Sequence, residues 1–195
     1  MSERIFILGL VGPSAVGKGY CKDAIKTTFP EFFDEPVVVT TRPKRLNDGK
    51  DRQAGVPLDE FLVMRETGVV LFAHQPFGEG TDWYGFSRTS LEENDKILLT
   101  EVHIDNATPF KNRYGDKVKL VALIAEKVYL EANIRGRATE TEDAVQVRLN
   151  AAIAEVEEIN RLREQGLIDH VIEVNTENRD RLAQIVTGLI KNIIG

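Results

Sequence analysis

Apolar residues run without a break from Ile5 to Val11 (IFILGLV) and stop at Gly12 and Pro13. A short, β-branched, uninterrupted run of this kind predicts a strand covered on both faces, as in a parallel sheet. From Lys18 to Phe29 the apolar positions take on a helical spacing, and Pro30, which cannot continue a helix, closes the segment. A short strand is predicted at Val37 to Val39. The buried-strand pattern returns at Lys96 to His103 (KILLTEVH), Lys117 to Ala125 (KVKLVALIA) and His170 to Val174. Between the last two, a helical pattern runs from about Glu140 to Gln165 and ends at Gly166, with Thr139 and Glu142 spaced as a capping box at its start. Residues 41 to 89 keep neither period; Gly, Pro and aromatics cluster there, which predicts a small inserted subdomain with short strands. Strands alternating with helices predict an α/β fold built on a doubly wound parallel sheet of about five strands, with ligands at the carboxyl ends of the strands.

A chain of 195 residues suits one such domain, and 42% hydrophobic with 29% charged residues excludes a disordered chain. The net charge of −6 disfavours a nucleic-acid partner, because such proteins carry a basic face. Charge changes the picture locally. From Arg42 to Gln53 stand Arg42, Lys44, Arg45, Lys50 and Arg52 against Asp48 and Asp51, a net +3 that marks a focused anion site. Cys21 is the only cysteine, which excludes an intrachain disulfide and agrees with a reducing compartment. The first apolar run lacks the flanks of a signal peptide, and no apolar run is long enough to cross a bilayer, so the expectation is a cytoplasmic protein with no membrane partner.

The candidate chemistry sits directly after the first strand. Gly12, Pro13, Ser14, Ala15, Val16, Gly17, Lys18 and Gly19 form a G-x-x-x-x-G-K loop between a predicted strand and a predicted helix, the context in which this motif cradles phosphates. Gly12 and Gly17 permit the backbone angles that turn N–H groups toward the ligand, the helix start adds positive potential, and Lys18 neutralises charge on the transferring group. The loop predicts ATP as substrate with Mg²⁺. Most such loops place a Ser or Thr where Gly19 stands; the next residue here is Tyr20, so the loop offers no hydroxyl to the metal. Glu101, at the end of KILLTE, is placed as the carboxylate that would hold the metal through water, or as a solvated acid at a strand end.

Four further segments carry a resemblance. Thr40-Thr41-Arg42-Pro-Lys-Arg45 with Gly49-Lys50-Asp51, Asp82-Trp83-Tyr84-Gly85, Gly136-Arg137-Ala-Thr139 through Glu142 to Arg148-Leu149, and Val171-Ile172-Glu-Val174-Asn175 occur in the order and spacing of guanylate kinase motifs. Over roughly residues 5 to 180 the chain resembles the guanylate kinase family of P-loop nucleoside monophosphate kinases. The resemblance implies a core of residues 1–36, 93–127 and 149–195, an NMP-binding insertion at 37–92 and a helical lid at 128–148. By position it implies that Arg42, Arg45 and Tyr84 grip the acceptor's phosphate, that Arg137 and Arg148 close over the transferring group with Lys18, and that Asn175 lies beside the adenine.

The departures are as informative as the matches. Guanylate kinases read guanine with two carboxylates; here Leu71 or Phe72 stands at the first position and His103 at the second. Val38 and Phe86 replace two serines, and Arg52 replaces a second phosphate-binding tyrosine. The phosphate grip is kept while the base reader is lost, and Arg52 favours an acceptor with a second anionic group. The expected function is ATP-dependent phosphoryl transfer to a phosphorylated small molecule, with GMP as the family's default acceptor. The competing reading is a noncatalytic guanylate-kinase-like module that binds a phosphorylated ligand or phosphopeptide. Retention of Lys18, Arg137 and Arg148 argues against it, since such a module needs no γ-phosphate cradle.

Overall fold

The computed structural model describes residues 7–46, 48–76, 80–136 and 142–195. Five parallel strands form the main sheet: β1 (Ile7–Val11), β2 (Phe33–Asp34), β7 (Ile97–Glu101), β8 (Val118–Ala125) and β9 (His170–Val174), in the order β2-β7-β1-β8-β9. A second, mixed sheet holds β3 (Val38–Thr40), β4 (Arg52–Ala54), β5 (Val70–His74) and β6 (Tyr84–Ser87), in the order β4-β3-β6-β5. The helices are α1 (Lys18–Thr28), α2 (Leu58–Glu66), α3 (Arg88–Glu92), α4 (Ile104–Tyr114), α5 (Lys127–Arg135), α6 (Glu142–Glu164) and α7 (Leu182–Ile194).

Successive side chains of a strand point to opposite faces, and the main sheet uses both. Leu8, Leu10, Leu99, Val121 and Leu123 pack against α1, α5 and α7 on one side, whereas Ile7, Val11, Leu98, Leu120 and Ala122 pack against α4 on the other. That two-sided burial is why β1 reads as an unbroken apolar run. In α7, Leu182, Val186 and Ile190 recur four apart and seal the first face. The long helix α6 serves both cores: Val145, Leu149 and Ala152 join the first, Ile159 and Leu162 the second. Its middle turns thereby pass over the carboxyl end of the sheet.

The segment expected as a strand at Val37 to Val39 is β3, shifted by one residue, and it belongs to the second sheet. The edge strand of the main sheet is instead β2, only two residues long, with Phe33 and Asp34 beside Ile97 and Leu98. Two residues are too few to show a period, so nothing in the pattern marked it. Of the expected capping box, Thr139 lies outside the described residues, and the Glu142 carboxylate accepts from Arg135 Nη1 and Nη2 at 2.6 Å each. Among the described residues, no helix is long and apolar enough to cross a membrane.

Candidate active site

The loop after β1 turns sharply at two glycines. Gly12 has φ 150° and Gly17 has φ 112°, and a Cβ on Gly12 would lie 2.4 Å from the Leu123 carbonyl oxygen, so only glycine fits between the loop and β8. Pro13, Ser14, Ala15 and Val16 carry the chain between them; Ala15 takes φ 65°, unusual for a residue with a side chain, and Asn133 of α5 donates to its carbonyl at 3.2 Å. Val16 is buried in the first core and anchors the loop. The Lys18 ammonium folds over the loop and donates to the carbonyl oxygens of Gly12 and Pro13, the latter at 3.0 Å. Cys21, one turn further on, is wholly buried; burial, helped by the charge of Glu101, pushes its thiol up to about 12, which leaves it inert.

In front of the loop lies a cavity of about 570 Å³. The loop lines it with Gly12, Ser14 and Lys18; the ends of β7 and β6 contribute Glu101, His103 and Tyr84; β4 contributes Arg52; and α6 contributes Arg148 and Glu155. Residues more than 100 positions apart in sequence therefore meet in one space, as expected at the carboxyl edge of a parallel sheet. Val38 and Phe86, opposite one another in the second sheet, form an apolar wall. Arg137 lies outside the described residues.

Two of the residues expected to grip a phosphate stand elsewhere. Arg42 is buried, and its guanidinium donates to Asp48 Oδ1 at 2.6 Å and to the Pro43 carbonyl at 2.7 Å. The reason is electrostatic: a buried guanidinium requires a partner, and Asp48, six residues on, supplies it. The Asp48 carboxyl is held below its usual value by Arg42 first and by the Arg45 backbone N–H second. That N–H donates to Asp48 Oδ2 at 2.7 Å, while the exposed Arg45 side chain does not line the cavity. Arg52, with its Nε 3.8 Å from Asp48, does line it.

The strand expected to supply Leu71 or Phe72 supplies His74 instead. Register between β5 and β6 slips between Leu71 and His74, where Phe72 takes φ 54°. Leu71 and Phe72 pack into the second core, Phe72 stacked on Phe110 with centroids 3.9 Å apart, and the bulge turns His74 into the cavity. There its ring stacks on His103, centroids 4.8 Å apart. Burial, then the charge of His74, pushes the His103 imidazolium down to about 4; burial also lowers His74. Glu155 shows the reverse: burial lifts its carboxyl to about 7, with Lys18 opposing and Asp105 reinforcing. His74 and Glu155 escaped the sequence analysis. A helical spacing of four and seven from Arg148 to Ala152 and Glu155 was the available signal for the second; the bulge hid the first.

A second cleft of about 470 Å³ lies on the other side of the loop, lined by Ala15, Gly17, Tyr20, Tyr129, Asn133 and Arg179 among others. Asn175, expected here, does not line it. Its Oδ1 accepts from the backbone N–H groups of Glu177 and Asn178 at 3.0 and 2.9 Å, which shapes the turn after β9 that leads to Arg179. Tyr20, half-exposed, is one wall of the cleft.

Metal chemistry has one supporting feature. Glu101 ends β7 with Oε1 3.8 Å from the place a Cβ on Gly19 would occupy, so its carboxylate faces the position where other loops carry a hydroxyl. Among the described residues, no three His, Cys, Asp or Glu side chains stand together as a cage. A Mg²⁺ ion that arrives with nucleotide phosphates needs only one or two carboxylates and keeps several waters, and Glu101 fits that need.

No family model matches the chain. Guanylate kinases of Streptococcus pyogenes serotypes M3 and M18 are each 28% identical to it over 202 residues, which covers all of this chain and 92% of theirs. The guanylate kinase of Anaplasma phagocytophilum superposes with a TM-score of 0.66 at 22% identity, over 98% of this chain and 87% of that one, which shows a common fold. The likeness runs the full length of this chain and through its phosphate loop, so the chain is similar in sequence and in fold to guanylate kinases.

Proposed function

We propose that this chain transfers the γ-phosphoryl group of ATP to an oxygen of a phosphorylated small molecule. What carries the reading is the single cavity onto which Lys18, Arg148, Glu101, Arg52 and Tyr84 all open. An acceptor phosphate oxygen is already anionic and needs no general base. Its lone pair forms the new bond to Pγ, the bond from Pγ to the β,γ-bridging oxygen breaks, and that oxygen leaves with ADP. The protein's task is to hold two anions in line and to neutralise charge as it shifts. The N–H groups of the loop and the Lys18 ammonium take the β- and γ-phosphates, and the cleft by Tyr20 and Tyr129 takes the adenine. Arg148, which lines the cavity, neutralises the transferring group, and Arg137 is assigned to the same task by its sequence position in the proposed lid at 128–148. Arg52 and the Tyr84 hydroxyl hold the acceptor's phosphate, for which Arg42, tied to Asp48, is not free. Mg²⁺, held by Glu101, would screen the charge on the phosphate oxygens.

The relatives are named for GMP, which makes it the first acceptor to test. The test is ADP release from ATP and Mg²⁺ with a panel of monophosphates and sugar bisphosphates. Lys18→Ala should lower turnover by about 10²–10³-fold or more, since it removes a preorganised charge at the reacting phosphates, while the thermal midpoint stays near that of the wild type. Wild-type turnover in that variant would overturn the assignment.

A further inference from the structure

We infer that Asn133 of α5 is a positioning residue for nucleotide binding: its side-chain amide holds Ala15 in a left-handed conformation and thereby fixes the shape of the phosphate loop. The inference rests on the proposed use of that loop for the phosphates of ATP and names what keeps it in form.

The loop contains a turn that its own sequence disfavours. The Val16 N–H donates to the Pro13 carbonyl at 3.4 Å and closes a four-residue turn. Ala15, third in that turn, has φ 65°, whereas Ser14 before it keeps a negative φ. A negative φ followed by a positive one is the pattern of a type II turn, whose third position calls for glycine or asparagine. In alanine the same conformation crowds the Cβ against a neighbouring carbonyl oxygen, so the turn is strained. Relief lies close by, because a type I turn joins Pro13 to Val16 equally well with Ala15 right-handed. That change reverses the Ser14–Ala15 peptide and carries the Ala15 N–H to the other side of the loop. A phosphate cradle works by the direction of successive N–H groups, so the relaxed turn is a different cradle.

Asn133 supplies the restraint that the loop lacks. Its Nδ2 donates to the Ala15 carbonyl at 3.2 Å from a position 118 residues further along the chain. The helix that carries it is fixed, since Leu130 and Ile134 of α5 are buried in the first core. Val16, buried in the same core, anchors the other end of the turn. A donor on a rigid element outside the loop therefore selects the strained turn over the relaxed one. Asn133 also lines the second cleft, so a direct contact with the nucleotide is the competing role.

A double-mutant cycle separates the two roles, because glycine adopts φ 65° without strain and has no need of the restraint. Calorimetry measures the dissociation constant of ATP with Mg²⁺ for the full-length wild type, Asn133→Ala, Ala15→Gly and the double variant, with the thermal midpoint of each as the check on folding. Asn133→Ala should weaken ATP binding by about tenfold in the wild-type background, but by less than about threefold in the Ala15→Gly background. Asn133→Leu, which keeps the bulk and cannot donate, should match Asn133→Ala. An equal cost in both backgrounds would mean that Asn133 meets the nucleotide itself and would overturn the inference. So would wild-type affinity in Asn133→Ala. Either result leaves the phosphoryl-transfer reading standing. If the wild type binds no ATP, that reading falls, and the inference with it.

Discussion

At the scale of single residues, the cavity holds groups whose character is set by burial. Glu155 has no hydrogen-bond or ion-pair partner among the described residues, and burial lifts its carboxyl from the ordinary 4.5 to about 7. Between those values the folded chain binds a proton that the unfolded chain has released, so stability falls as pH rises through the window. Glu155→Gln should remove that fall and stabilise the protein above pH 7 by about 1–3 kcal/mol, read from thermal unfolding between pH 4.5 and 8. An unchanged pH slope would show that the carboxyl is hydrated in the folded state. Lys18, Arg52, Tyr84, Glu101, His103 and Arg148, expected from their spacing within motifs, all line the cavity. The sequence did not identify His74 or Glu155, whose places depend on a bulge and on where a long helix crosses the sheet. Arg42 was legible as a basic residue but not as the partner of Asp48, since sequence spacing does not say which anion a guanidinium meets.

At the scale of elements, charged clamps fix the sheet to its surroundings. Asp169, just before β9, accepts from Lys111 of α4 at 2.7 Å, from Lys119 of β8 at 3.1 Å and from the Leu120 N–H at 2.8 Å. Burial opposes ionisation of this carboxyl, yet the Lys111 bond and its fellows outweigh it and hold the group below its usual value. Its stabilisation is therefore present above pH 4 and lost as pH falls through the lowered value. Asp169→Ala should cost about 2–4 kcal/mol at pH 7, because it strands two ammonium groups and an N–H, with a smaller loss in acid. Urea titrations at pH 7 and pH 3 measure both, and equal losses would refute the clamp. The loop at the head of α1 is an element of the opposite kind, held by exclusion: Gly12→Ala would put a methyl 2.4 Å from a backbone oxygen of β8. The junction must then shift. The variant should fold with a lowered thermal midpoint and lose its response to nucleotide, whereas retention of both would mean that the loop yields at no cost.

At the scale of the whole molecule, nucleotide binding and folding are coupled, because the cradle exists only in the folded state. ATP with Mg²⁺ at about a hundred times its dissociation constant should stabilise the wild type by about 2.7 kcal/mol, seen as a rise in thermal midpoint; no rise would mean that the loop is not a nucleotide cradle. The parallel sheet, the phosphate loop and the long helix were determined by the sequence alone, since a strand buried on both faces must be apolar throughout and a phosphate cradle must carry glycines at set positions. Those are local requirements, and local requirements leave a mark on a linear pattern. The tertiary structure alone decided the rest. It set a two-residue strand at the sheet edge, turned Arg42 away from the cavity toward Asp48, used Asn175 to shape a turn, and brought His74 against His103. Each of these rests on a partner distant in the chain or on a backbone irregularity of one residue, and hydrophobic periodicity records neither.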